Sequence, residues 1–150
     1  MPQYPSGLPL GLKSGRSYQV VSPLQRTQLD SGRARQRRKF TSVPVLAEVT
    51  WLFKSIESFT FQSWFRDALT DGALWFECPL RTDMGLINAD CRFTDIYRGP
   101  VFAGPDLWTI SATLEIRERP LLAPPWGEFP EYLLGGNIID LALNHEWPEA

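Results

Sequence analysis

From Leu107 to Arg119 the chain alternates: Trp108, Ile110, Ala112, Leu114 and Ile116 fall in one phase, and Thr109, Ser111, Thr113, Glu115 and Arg117 in the other. A period of two marks a strand with one face on a core and the other in water. Val45, Ala47, Val49, Trp51 and Phe53 share a phase in the same way, while Leu46 and Leu52 in the opposite phase predict partial cover on both faces. Leu74, Phe76, Cys78 and Leu80 alternate over 73–80, and Ala89, Cys91 and Phe93 alternate within 88–97. Weaker strands are expected at about 26–31 and 36–41. Only one segment has a strong helical period. Ser55 is placed to cap it, Phe61, Trp64, Phe65 and Ala68 fall at i, i+3, i+4 and i+7, and Asp71-Gly72 supplies a left-handed stop. One amphipathic helix among antiparallel strands meets the two-layer requirement by laying its Phe/Trp stripe on a sheet face. The predicted class is therefore α+β, mainly β: an antiparallel β-sandwich or barrel with one flanking helix and extended arms at both ends.

Three regions follow. Residues 1–24 hold Pro2, Pro5, Pro9 and Pro23 with Gly7, Gly11 and Gly15, which reads as an extended N-terminal arm. Residues 25–119 hold the strong periodic signals and form the core domain, with its helix at about 55–70. Residues 120–150 return to proline-punctuated sequence but carry many apolar side chains, and a short helix is expected at about 136–144 on Ile138, Ile139, Leu141 and Ala142. The 150 residues suffice for one ordinary core. No run approaches the roughly 18 apolar residues of a membrane span, and the N-terminus lacks the pattern of a secretory signal, so a soluble protein made in a cytoplasm is expected.

The charge layout bears on association rather than fold. Residues 1–40 carry eight Lys and Arg against Asp30 alone, a balance of +7, and the overall −2 leaves −9 for the remainder. No Lys or Arg follows Pro120. Identical copies can therefore attract one another head to tail.

Catalytic reagents are scarce. His145 is the only histidine and lies in the C-terminal region, away from the predicted core. Asp90/Asp95 and Glu115/Glu118 read as solvated carboxylates on strand faces. No glycine-rich phosphate loop is present, and one histidine with Cys78 and Cys91 cannot complete a tetrahedral zinc site without carboxylates. The two cysteines alternate in phase with apolar neighbours and are expected as buried, reduced thiols. No catalytic residue, metal or cofactor is assigned.

Two features point to partners. Arg33, Arg35, Arg37, Arg38 and Lys39 place five cations in seven residues. Such a run either neutralises phosphates or meets acidic groups of a neighbouring chain. The acidic remainder of the chain favours a protein partner, while nonspecific contact with DNA in a channel is compatible with both. In the C-terminal region, Trp126, Phe129, Tyr132 and Trp147 are aromatic anchors on a proline-rich stretch, the residue types that carry much of the energy of protein interfaces.

The succession of the Arg-rich segment Gly32 to Phe40, the strand ending at Val49 to Phe53, the helix with Phe61 to Asp67, the strand Gly72 to Pro79 and the closing Trp108 to Pro120 resembles small structural proteins of tailed bacteriophages, above all the distal-tail or tail-adaptor type. The resemblance spans roughly residues 25–122. It implies a non-enzymatic virion protein, assembled in the host cytoplasm, that forms a ring, commonly sixfold, around the DNA channel and joins tube or hub to tip or fibre components. At 150 residues it is expected to lack the second, carbohydrate-binding-like domain of the longer distal-tail proteins. A head–tail connector or tail-terminator subunit is the nearest alternative; a nucleic-acid-binding protein using Arg33 to Lys39 is another.

Overall fold

A computed structural model describes residues 1–136. All but the first residue of the helix expected at 136–144 lies outside these, as do His145 and Trp147. The chain divides into two units, Met1–Pro120 and a second beginning at Leu121. The first is α+β and mainly β, with antiparallel sheets and one main helix. Its elements are β1 (Ser17–Val20), β2 (Leu24–Gln28), β3 (Ala34–Arg38), β4 (Val45–Lys54), α1 (Ser55–Asp67), β5 (Phe76–Thr82), β6 (Gly85–Phe93), β7 (Arg98–Gly104) and β8 (Leu107–Ile116).

The two best-patterned segments form the backbone of the sheet. β4 and β8 pair antiparallel along their whole length, from Val45 opposite Ile116 to Lys54 opposite Leu107. The register puts Val49 opposite Ala112 and Trp51 opposite Ile110, so both apolar phases share one face. Val45, Ala47, Val49, Trp51, Phe53, Ile110, Ala112, Leu114 and Ile116 are all buried there. On its other edge β8 pairs with β6 through Leu114 to Ile116 and with β7 through Leu107 to Ser111. β5 adds to β6, and β1 adds to the outer edge of β4. β7 carries Gly99, Pro100 and Gly104 and has shifted register, features tolerated on an edge strand.

The sheet is not a closed barrel. Its end strands β1 and β5 share no ladder, yet Tyr18 Oη (2.6 Å) and Arg16 Nη1 (2.9 Å) both donate to the Arg81 carbonyl of β5. Side chains thus bridge the gap that backbone pairing leaves. Arg16 reaches it over Gly11, where a Cβ would stand 2.6 Å from Nη2 and 2.4 Å from Val49.

α1 follows β4 without a linker and packs back on β4 and β8. Phe61 meets Trp51 and Phe53, each with centroids 5.2 Å away, and Phe65 stands edge-on to Phe93 and Tyr97, each at 4.9 Å. Such pairs contribute about 0.5–1.5 kcal/mol each beyond area burial. The cap differs from expectation: Lys54 occupies the N-cap and Ser55 is already in the first turn. Glu57 accepts from the Lys54 N–H at 2.7 Å, and Ser55 serves another contact, described below. The helix stops where expected, with Thr70, Asp71 and Gly72 at φ of 51°, 54° and 84°. At Gly72 a Cβ would lie 2.7 Å from the Phe65 ring, so only glycine fits both the turn and the packing.

The N-terminal segment, expected as an extended arm, is seated on this chain's own sheet. Tyr4 N–H donates to Glu77 O and Glu77 N–H to Pro2 O, both at 2.9 Å, and Tyr4 and Leu8 are buried in the core. Tyr4 Oη is spent on Pro9 O at 2.6 Å, and its ring meets Trp64 edge-on. Leu74, expected in the core phase of β5, precedes the strand and is exposed.

Phe61 is fully buried and Phe59, two residues earlier on the same helix, is 67% exposed. Phe61→Ala should cost about 3–5 kcal/mol in urea unfolding, whereas Phe59→Ala should stay within about 0.5 kcal/mol. Equal effects would contradict the placement of the helix.

Candidate functional site

β2 and β3 form a sheet of their own, in which each residue from Leu24 to Gln28 faces one from Arg38 to Ala34. The turn between them, 29–33, is closed by Leu29 N–H to Arg33 O at 2.9 Å and Gly32 N–H to Leu29 O at 3.0 Å, with Gly32 at φ 76°. All ten strand residues are exposed except half-buried Gln25. The strands begin two residues earlier than the sequence suggests. They make a hairpin standing on a joint at Pro23, whose carbonyl accepts from Lys39 N–H at 2.7 Å. A two-stranded ribbon without an apolar backing is marginal in water, because it orders backbone while burying little.

The register sorts the predicted cations. Arg35 and Arg37 share a face with their partners Thr27 and Gln25, about 7 Å apart along the strand. With Leu29 these four line a trough of about 330 Å³. Gln25 Oε1 accepts from Arg37 Nη2 at 2.9 Å and Nε at 3.2 Å, which holds one guanidinium upright. Arg38 lies on the opposite face with Arg26 and turns its guanidinium back onto the carbonyls of Phe40 (2.9 Å) and Thr41 (2.5 Å). Lys39 Nζ sits 5.3 Å from the Phe40 ring centre, and Arg33 is in the turn. The predicted run is thus divided: Arg35 and Arg37 come together, Arg38 faces away, and Arg33 and Lys39 flank. Among the described residues, none of these cations or Arg26 is paired with a carboxylate. Leu24, Leu29 and Phe40 are each about half exposed beside them. Gln25, Thr27, Leu29 and Arg26 were missed as site residues; the turn residues Asp30, Ser31 and Gly32 between two polar runs were the available signal.

In the second unit, Trp126 to Glu128 make a 3₁₀ turn and Pro130–Leu134 a short helix, α2. Trp126, Phe129 and Tyr132 are exposed, and Phe129 and Tyr132 stand edge-on at 6.2 Å.

Other polar groups serve the fold. Trp108 Nε1 donates to Ser55 Oγ at 3.1 Å, and Ser55 gives both its hydroxyl and, at 3.2 Å, its N–H to Asp106. These hydrogen bonds, first the hydroxyl and then the amide, hold the Asp106 carboxyl below the usual carboxylate range. The cluster ties the start of α1 to the β7–β8 turn. On the outer face of the sheet, the guanidinium carbons of Arg92 and Arg117 lie 4.7 and 4.5 Å from the Trp75 ring centre, and their other partners are Glu115 at 2.7 Å and Asp90 at 3.3 Å. Cys78 and Cys91 are buried free thiols; burial pushes Cys78 up to about 12 and raises Cys91 too, so neither is a thiolate at neutral pH. Among the described residues, no three His, Cys, Asp or Glu side chains are grouped to hold a metal.

No protein-family model matches the chain, and no curated protein matches it.

Because Asp106 has a lowered folded pKa, its contribution is present above the unfolded pKa and is lost as pH falls through the folded one. Asp106→Asn should therefore lower Tm at pH 7, and the gap from wild type should close in strong acid; a gap constant across that range would contradict the Ser55 contact. Trypsin under native conditions should cut first at Arg33, Arg35, Arg37 or Arg38, ahead of Arg81 and Arg92 in the main sheet, since the hairpin opens at the least cost. First cleavage within β5 or β6 would show that the hairpin is backed.

Proposed function

We propose that this chain is a non-enzymatic assembly subunit of a phage tail, a ring-forming adaptor or distal-tail protein that joins tail tube or hub to tip or fibre components. A fold by itself carries no function. The observation that supports this reading is the hairpin, a ribbon with cationic faces that stands apart from a sheet already covered by α1 and the N-terminal segment. Such a ribbon gains its backing when another molecule covers it. Leu24, Leu29 and Phe40 favour protein over phosphate as that partner, because protein interfaces combine an apolar centre with a polar rim. The charge balance, +7 before residue 41 and −9 after it, makes a further copy of the chain an electrostatically complementary neighbour. In a ring these contacts are head to tail, and DNA in the lumen would meet whichever cations the neighbours leave free.

Light scattering on the purified protein should give one discrete oligomer, and electron microscopy should show it as a ring. The chain should also be found in purified particles of the phage that encodes it, with antibody labelling at the tail. Absence from particles would refute the virion role, and a monomer at every concentration would refute self-assembly.

A further inference from the structure

We propose, on the assembly reading, that the Arg35/Arg37 face of the hairpin docks the acidic C-terminal segment of a second copy of this chain. The trough on that face offers two guanidiniums without a carboxylate partner among the described residues, the amide of Gln25, the hydroxyl of Thr27 and the apolar Leu29. It suits a segment that interleaves carboxylates with apolar side chains. Residues 41–120 are a poor source of one. They hold eleven Asp and Glu against seven Lys and Arg. Asp67, Asp90 and Glu115 are paired with Arg66, Arg117 and Arg92, and Glu57 and Asp106 are engaged at the start of α1. Residues 121–150 differ in kind, with five Asp and Glu and no Lys or Arg. Within them Glu128 and Glu131 are interleaved with exposed Trp126, Phe129 and Tyr132. Carboxylates can pair with Arg35 and Arg37 while an aromatic ring stacks on a guanidinium or covers Leu29.

The contact joins unlike surfaces, so it is heterologous: each subunit presents its hairpin to one neighbour and its C-terminal segment to the other. Such contacts close into rings when the rotation between subunits permits. Complementary charge sets the register and speed of docking, and the buried aromatics set its lifetime.

Charge exchange in the full-length protein tests this. R35E/R37E and E128R/E131R alter exposed side chains, and circular dichroism with urea unfolding verifies that both variants fold. Light scattering at low salt should show assembly weakened by on the order of tenfold or more in each alone, since like charges then face one another. The quadruple variant, and an equimolar mixture of the two double variants, should both regain the wild-type oligomer. A wild type that assembles and an R35E/R37E variant that assembles equally well would overturn the docking while leaving the assembly reading intact. Loss in both double variants without recovery in the quadruple variant or the mixture would also overturn it. Nuclease-sensitive nucleic acid retained by wild type and lost from R35E/R37E, with assembly unchanged, would assign the face to phosphates instead. A wild type that is monomeric throughout would overturn docking and assembly together.

Discussion

The structure depends on holding one aromatic stripe of α1 against the inner face of the β4–β8 ladder. Phe61 and Phe65, one helical turn apart, insert among Trp51, Phe53, Phe93 and Tyr97, and no other element among the described residues supplies comparable cover. Because α1 leaves β4 without a linker, its direction must be fixed within a turn. The Ser55–Asp106 contact fixes the start against the β7–β8 corner. Gly72 fixes the end by letting the chain reverse directly beneath the Phe65 ring. With both ends held, the stripe cannot slide along the sheet, and rings that meet at near-right angles resist rotation about the helix axis.

That core is completed from within. Tyr4 and Leu8 fill its margin, and Arg16 and Tyr18 bridge the gap between β1 and β5. The consequence is an unequal molecule. Most edges of the sheet are paired, bridged or bulged, in keeping with how β proteins avoid unwanted edge pairing, while β2 and β3 pair only with each other. A free cationic ribbon on an otherwise finished domain concentrates the tendency to associate in one place.

Much of this was legible because the period-two runs were long. Val45 to Phe53 and Leu107 to Ile116 each place at least four apolar residues in phase, and that phase fixes both the face and the register of the central pair. β7 was not legible. Its Gly99, Pro100 and Gly104 read as punctuation, and only an adjacent strand as regular as β8 makes a ladder there. The seat of the N-terminal segment was not legible, because proline and glycine exclude helix and central strand without excluding a single bridge such as that between residues 2–4 and Glu77. In the candidate site, the cluster Arg33 to Lys39 was visible as composition, and the period of two along a strand already separates Arg35 and Arg37 from Arg38. Their neighbours Gln25 and Thr27 were not visible, because the pairing that places them beside Arg37 and Arg35 is not contained in the pattern of either strand. The contact of Arg92 and Arg117 with Trp75 is hidden for the same reason, since it brings together residues from three separate segments.

The seating of the N-terminal segment also constrains how copies would meet. A subunit whose arm had to be lent to a neighbour would finish its core only on assembly, and folding and association would be one event. Here Tyr4, Leu8 and β1 already belong to their own core and sheet, so the first unit has its core in place before any encounter. Association on the proposed reading is then the docking of subunits whose first unit is already formed, and attraction between the basic hairpin of one copy and the acidic C-terminal segment of another drives it most effectively at low ionic strength. Because those two surfaces are unlike, growth by docking has a direction.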